Sequence, residues 1–332
     1  SKVTFVSTLH ACAHQLALAQ GKWIHGYIKT LNLEVDIAVG TALVHMYGKC
    51  EDLEEAYRAF YDIPNRDVVT WTSMITTHTE KGKGNEAICL FEMMVQEGIV
   101  PNEVTFVSGL DACASQPDLV QGKKMHIYLR DFRLDSQVIA ANALINMYGK
   151  CGDLENAQKV FERMFEKNNI SWSALIGAYA HHGKAKMVLH LFQRMRTEGI
   201  PPDEVTFSSV LSACSFAGLV EDGHSYFTSM SRDYGINPTL QHHGCMIDLF
   251  GRWGQVDEAI MMIKRMPFCA NLAIWNTVLG ACRNLGKAGL GKEAFVNAIQ
   301  LDYGDSAAYV LMSHIFAFSS SSNIHEGISL RV

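Results

Sequence analysis

The chain of 332 residues is 48% hydrophobic and 19% charged with a formal charge of −6, a balance that excludes wholesale disorder, a collagen-like fibre and a basic tail. No uninterrupted apolar run approaches the roughly 18–20 residues of a membrane-spanning helix, so the sequence reads as a soluble chain. At this length two domains or a repeat array are both ordinary.

The opening Ser-Lys-Val-Thr-Phe offers neither an initiating Met nor a targeting segment, so chain start and gene start are expected to differ. The nine cysteines (Cys12, Cys50, Cys89, Cys113, Cys151, Cys214, Cys245, Cys269 and Cys282) are odd in number, and no two are spaced C-x-x-C. A disulfide framework and a zinc ribbon are therefore disfavoured, and the cysteines read as small apolar residues of a reducing compartment.

One internal offset organises the chain. Val3-Thr4-Phe5-Val6 returns as Val104-Thr105-Phe106-Val107 and again as Val205-Thr206-Phe207-Ser208, each step being 101 residues. The same step relates Met46-Tyr47-Gly48-Lys49-Cys50 to Met147-Tyr148-Gly149-Lys150-Cys151, and Trp71 to Trp172. Prolines and helix starts divide the period into segments of 35, 35 and 31 residues, which points to a solenoid of supersecondary units.

In chain order, Glu97-Gly98-Ile99-Val100-Pro101 closes one segment, since Gly suits a helix C-cap and Pro forbids continuation. Pro117 falls in a turn between paired helices. Asp153 is an N-cap candidate, with Leu154, Ala157, Phe161 and Met164 on one face behind it. Trp172, Leu175, Ile176 and Tyr179 form a stripe at i, i+3, i+4 and i+7, followed by a turn at Gly183. Glu198-Gly199-Ile200-Pro201-Pro202 closes the next segment, and Pro64, Pro238 and Pro267 mark further junctions. No strand-type alternation persists, so the whole chain is expected to be all-α.

These segments resemble the pentatricopeptide repeat proteins of land plants, in the subclass with alternating P, L and S repeats. The resemblance rests on Val68-Val69-Thr70-Trp71-Thr72-Ser73-Met74-Ile75, on Glu103-Val104-Thr105-Phe106 with Asp111-Ala112-Cys113-Ala114, and on Asn142-Ala143-Leu144-Ile145-Asn146-Met147-Tyr148-Gly149-Lys150-Cys151-Gly152-Asp153. It implies a right-handed α-solenoid superhelix with eight repeats over 2–271: L 2–36, S 37–67, P 68–102, L 103–137, S 138–168, P 169–203, L 204–239 and S 240–271. Residues 272–305, with Ile274-Trp275-Asn276-Thr277-Val278-Leu279, look like a first E motif, and 306–332 like a partial, degenerate second one. After Ala317 the resemblance fails, with Ser319 to Ser322 standing where the family would place a polar helix. A tetratricopeptide scaffold that binds peptides is the nearest other grammar, but Gly177 stands one place late after Trp172 and the period is not a steady 34.

The resemblance implies that the fifth and last residue of each P and S repeat read the Watson–Crick edge of one RNA base, flanked by apolar side chains. Carried over, the base-binding pairs are Thr41 with Asp67, Thr72 with Asn102, Asn142 with Asn168, Ser173 with Asp203, and Gly244 with Asn271. By the family's code the target is 5′-G-A-x-Y-G, Y being a pyrimidine, in organellar single-stranded RNA. The L-repeat pairs Val6 with Asp36, Val107 with Gln137 and Ser208 with Thr239 receive no base. The subclass implies recognition of a C-to-U editing site in a mitochondrion or chloroplast, the former preferred, with the last S repeat over the fourth nucleotide upstream of the edited C. A deaminase-bearing protein or editing cofactor would act in trans; transcript stabilisation, processing or splicing is the other RNA-level role.

A charge of −6 is not the basic footprint of a nucleic-acid binder. Lys22 and Lys123, Lys49 and Lys150, and Lys83 and Lys184 nevertheless recur at the 101-residue step and are candidate phosphate contacts. Catalysis finds no support. His181-His182 and His242-His243 are adjacent and share no helical face, His325-Glu326 lacks the spacing of a zinc deaminase, and no Walker-type loop or G-x-S-x-G is present. The chain is thus expected to be no enzyme and to carry no cofactor or metal.

Overall fold

The computed structural model describes the backbone of residues 1–329 and the side chains of residues 1–317. His325 and Glu326 therefore lie beyond the described side chains, and the end of the second E-like segment, 330–332, lies outside the described residues. The described residues form nineteen α-helices and divide into two compact units, Ser1–Lys167 and Asn168–Val332.

The first unit is five helix pairs: α1 (Lys2–His14) with α2 (Leu18–Thr30), α3 (Ile37–Lys49) with α4 (Leu53–Tyr61), α5 (Val68–Glu80) with α6 (Gly84–Gln96), α7 (Glu103–Ser115) with α8 (Leu119–Asp131), and α9 (Val138–Lys150) with α10 (Leu154–Arg163). The second continues with α11 (Asn169–His181) and α12 (Ala185–Thr197), α13 (Glu204–Ala217) and α14 (Val220–Tyr234), α15 (Leu240–Arg252) and α16 (Val256–Arg265), and α17 (Leu272–Leu285) and α18 (Ala288–Leu301). The long α19 (Ser306–Ser329) closes it. Its backbone is helical through 319–322, where the resemblance lapses.

Within each unit the first helix of every pair packs on the first helix of the next, while the second helix packs on its own partner. In each unit the first helices thus form a layer, the arrangement of a solenoid. The expected breakers stand where chain geometry needs them. Pro64, Pro101, Pro201, Pro202, Pro238 and Pro267 all fall between pairs, Pro117 falls between α7 and α8, and Gly98 and Gly199 take φ of +78° and +76°, a region that costs other residues strain. Asp153 caps α10, accepting from Asn156 N at 3.2 Å.

The core follows the stripe read from the sequence. Trp172, Leu175 and Ile176 are fully buried and Tyr179 nearly so; Trp71, one period earlier, is also fully buried. Close stacking depends on small residues in the second helices: a Cβ on Gly21 would collide with the Met46 side chain, and one on Gly122 with Met147, the same contact one period later. All nine cysteines are free thiols. Cys12, Cys113, Cys214 and Cys282 are buried as expected, but Cys89 and Cys269 are exposed.

Candidate nucleic-acid interface

The last residue of each candidate pair occupies one structural role. Asp67, Asn102, Asn168, Asp203 and Asn271 are the N-caps of α5, α7, α11, α13 and α17, and each side chain accepts from the backbone N–H three residues on. Such a cap stabilises a helix by about 1 kcal/mol. The fifth residue stands five positions after the N-cap of its own helix, one turn in, and at Thr41, Thr72 and Ser173 its side chain reaches the start of the following first helix.

In three columns the two residues are joined through a third. Thr41 Oγ1 meets Thr70 Oγ1 at 2.7 Å, and Thr70 Oγ1 donates to Asp67 Oδ1 at 2.9 Å. Thr72 Oγ1 meets Thr105 Oγ1 at 2.6 Å, and Thr105 donates to Asn102 Oδ1 at 2.9 Å. Ser173 Oγ lies 2.6 Å from Thr206 Oγ1 and donates to Asp203 Oδ1 at 3.1 Å, which Thr206 Oγ1 also approaches at 2.7 Å. Thr72 and Ser173 are only 8% and 7% exposed, and a buried hydroxyl left without a partner costs about 1–3 kcal/mol. The relay satisfies them.

The same relay appears in a column to which the sequence assigned no base. Thr239 N donates to His242 Nδ1 at 3.0 Å, so the ring proton sits on Nε2, which donates to Glu204 O at 2.8 Å and reaches Ser208 Oγ at 3.1 Å. His242 thus links Ser208 to Thr239 as Thr206 links Ser173 to Asp203, but with the last bond reversed, Thr239 Oγ1 donating to His242 Nδ1 at 2.8 Å. Val6 with Asp36 and Val107 with Gln137 have no relay, because a valine cannot bond and the residues three past the N-caps, Val39 and Ala140, carry no hydroxyl. Asp36 instead pairs with Lys2 at 2.6 Å.

The other two columns differ. Asn142 Oδ1 is buried without a partner in the first unit, while Asn168 belongs to the second unit and bonds Ser171 N at 3.0 Å. Gly244 has nothing within 4 Å of where a Cβ would stand. Its column opens into a cavity of about 580 Å³ lined by Gln241, Gly244, Asn271, Ala273 and Phe216. A second cavity of about 500 Å³ lies over Ser208, Thr239 and His242, beside Val205.

Capping consumes only one atom of each N-cap side chain. Asn102 and Asn168 are exposed, and the Nδ2 of each donates to no group among the described residues. Beside these atoms, at the second residue of the first helices, Val69, Val104, Ile139, Ile170 and Val205 are between 55% and 61% exposed. These branched side chains form a row of exposed apolar surface and are candidates for the flanking side chains, which the sequence alone did not number. Its signal was the recurrence of Val or Ile immediately after each helix start. Thr70, Thr105, Thr206 and His242 were likewise missed as site residues.

The candidate phosphate lysines separate into two sets. Lys22 pairs with Asp52 at 2.8 Å and Lys123 with Asp153 at 3.1 Å, a contact repeated at the 101-residue step, and Lys49 pairs with Glu80 at 2.6 Å. The hydrogen bond from Lys22 holds the Asp52 carboxyl below its ordinary range. Lys22 and Lys123 stand on second helices, away from the layer that carries the caps. Lys83, Lys150 and Lys184 have no ion pair among the described residues; Lys83 and Lys184 occupy the N-cap positions of α6 and α12. No group of three or more His, Cys, Asp or Glu among the described residues could hold a metal ion, and no described helix is long and apolar enough to cross a membrane.

Comparison with known proteins agrees with this architecture. A model of the PPR repeat family matches residues 66–115 and 167–216, and the PPR repeat model matches 41–68, 139–169, 205–234 and 242–269. The chain is 38% identical over 322 residues to the chloroplastic pentatricopeptide repeat-containing protein CRR2 of Arabidopsis thaliana, covering 95% of this chain and 49% of that protein. It is 36% identical over 335 residues to the mitochondrial pentatricopeptide repeat-containing protein At3g02330 of the same plant, covering 95% of this chain and 37% of that one. The chain thus spans half or less of the length of these relatives. Among solved structures it resembles PPR10 in complex with an 18-nt psaJ RNA element, with a TM-score of 0.71 at 14% identity, over 91% of this chain and 48% of PPR10. The relatives are named for the same repeats, and the family models together cover most of the helix pairs: this chain belongs to the pentatricopeptide repeat family.

Proposed function

We propose that the chain binds single-stranded RNA in a sequence-specific way, one base to a helix pair. The observation that carries this reading is the relay from a residue one turn into a first helix to the N-cap of the next, repeated at Thr41, Thr72, Ser173 and Ser208. It holds short donors and acceptors in a fixed orientation at one repeat's spacing, beside exposed Val and Ile side chains that suit the faces of unstacked bases. PPR10, whose fold the chain shares, was solved with RNA bound, which supports the same ligand class here.

The negative net charge predicts that affinity depends more on base contacts, and less on phosphate neutralisation, than in a basic repeat protein. An organellar setting is supported by the chloroplastic and mitochondrial names of the relatives. Within it, we assign the protein to recognition of C-to-U editing sites with a deaminase supplied by another protein, a role supported by the L, S, P order of the segments. Binding of 5′-G-A-x-Y-G oligonucleotides no tighter than scrambled ones would refute the base assignment. Intact editing but altered transcript ends in a line lacking the protein would replace editing with RNA processing.

A further inference from the structure

We infer that Phe216 is a stacking platform for a nucleobase of single-stranded RNA, a contact separate from the side chains assigned to base edges. The inference rests on the RNA-binding reading above. Phe216 lies in the last turn of α13, and its equivalents at the 101-residue step are Ser115 and His14. All three positions are exposed, so packing asks for no ring here, and a polar side chain serves in the other two copies. Phe216 nevertheless leaves 54% of its surface open.

The surroundings hold the ring and leave room beside it. Arg252, the last residue of α15, sets its guanidinium over the ring, 4.9 Å from the centroid. Asp248 fixes that arginine, accepting from Arg252 Nε at 2.7 Å and from Ser215 Oγ at 2.6 Å. The ring borders both cavities described above, of about 500 and 580 Å³. Gly177 in the smaller and Gly244 in the larger contribute no side chain, so a flat ring has space to enter. An aromatic face backed by a guanidinium suits the π-face of an unstacked base. The smaller cavity extends from Val205 and Ser208 to Phe216, and Val205 and Phe216 lie about 16 Å apart along α13. A base on Phe216 therefore stacks away from the exposed Val and Ile row. Because every base has a π-face, the contact adds affinity without choosing among bases.

The test is fluorescence anisotropy with the full chain and a single-stranded RNA carrying 5′-G-A-x-Y-G, beside copies of that RNA made abasic at one nucleotide at a time. The unaltered protein is compared with Phe216→Ala, Phe216→Leu and Phe216→Trp. On intact RNA the alanine and leucine variants should each bind at least about fivefold more weakly, the ratio equivalent to about 1 kcal/mol of base stacking. Phe216→Trp should bind at least as tightly as the unaltered protein. Removing one particular base should weaken the unaltered protein by a similar factor and cost Phe216→Ala nothing further, a coupling that a merely structural phenylalanine would not give. Leucine keeps the apolar bulk and lacks the ring, so Phe216→Leu decides the matter by itself should the alanine variant lose its helical circular dichroism. Affinity unchanged in both variants, or reduced by the same factor on every abasic RNA, overturns the inference and leaves the RNA-binding reading standing. If the unaltered protein binds neither this RNA nor a scrambled one, the RNA-binding reading fails and the inference falls with it.

Discussion

Asp203 serves two roles that a pair of substitutions separates. Its Oδ1 accepts from Thr206 N at 2.8 Å and Thr206 Oγ1 at 2.7 Å, and Ser173 Oγ donates to the same atom at 3.1 Å. Asp203→Ala removes the cap, costing about 1 kcal/mol. It also leaves Ser173 and Thr206 with only each other, so one buried hydroxyl loses its acceptor at a further cost of about 1–3 kcal/mol. The expected destabilisation is about 2–4 kcal/mol. Asp203→Asn keeps a carbonyl oxygen for all three donors, the geometry that Asn102 already shows with Thr105 at 2.9 Å. It loses the interaction of the negative charge with the helix N-terminus, about 0.3–1 kcal/mol, and the hydrogen bond that Asp203 Oδ2 accepts from Asn169 Nδ2 at 3.3 Å. Its effect should fall on RNA instead. A carboxylate offers acceptors that suit the N1–H and N2–H of guanine, while an amide supplies a donor for N1 of adenine. The G-to-A preference in this column should therefore reverse, by roughly tenfold for about 1.4 kcal/mol. Urea denaturation reads the first effect, and fluorescence anisotropy with two oligonucleotides differing at one base reads the second. If Asp203→Asn keeps the original G-to-A ratio, or weakens both oligonucleotides equally, then Asp203 is a helix cap and no reader of bases.

Other expectations concern the core, charge and pH. Trp172→Ala should destabilise the chain by about 3–5 kcal/mol in urea denaturation, since the ring is fully buried, whereas Trp23→Ala, at a side chain 75% exposed, should change stability by less than about 0.5 kcal/mol. In RNA titrations against salt, Lys184→Gln or Lys83→Gln should each lower the slope of log affinity by about 0.7. Lys22→Gln, at a side chain already paired with Asp52, should leave the slope unchanged, and equal slopes for all three variants would remove Lys83 and Lys184 from the phosphate path. His25 and His126 bond Tyr47 and Tyr148 at 2.7 and 2.8 Å. Burial lowers both imidazoles below their ordinary value and pushes the Tyr148 hydroxyl up to about 12. The unfolded chain thus takes up protons near pH 6.5 that the folded chain refuses, so this stability is complete above about pH 6.5 and is lost as the pH falls below it. The urea midpoint should drop between pH 7.5 and pH 5.5, and the drop should shrink in His25→Gln; a midpoint that stays flat would show that these rings are not held neutral.

The local half of the structure was legible in the sequence because its causes are local. Pro101 and Gly98 end a segment by what their own backbones permit, Asp153 caps α10 by reaching three residues along, and Trp172, Leu175 and Ile176 share a face through helical spacing alone. The 101-residue step carried the rest of the fold, since equivalent residues in a stacked array meet equivalent surroundings. The site was legible only in part. Thr72 and Asn102 could be paired by repeat position, but Thr105 between them could not, because that bond joins residues 33 apart on helices brought together only by stacking. His242 fills the same place as Thr206 with a different chemical group, and no residue-type pattern links the two. The lysines show the converse. Lys22 and Lys123 recur faithfully, yet Asp52 and Asp153 recur with them and take up their charge. The sequence by itself determined which residues would cap, turn and fill the core; tertiary stacking decided which polar groups were already satisfied and which, such as Asn276 Oδ1, have no partner among the described residues.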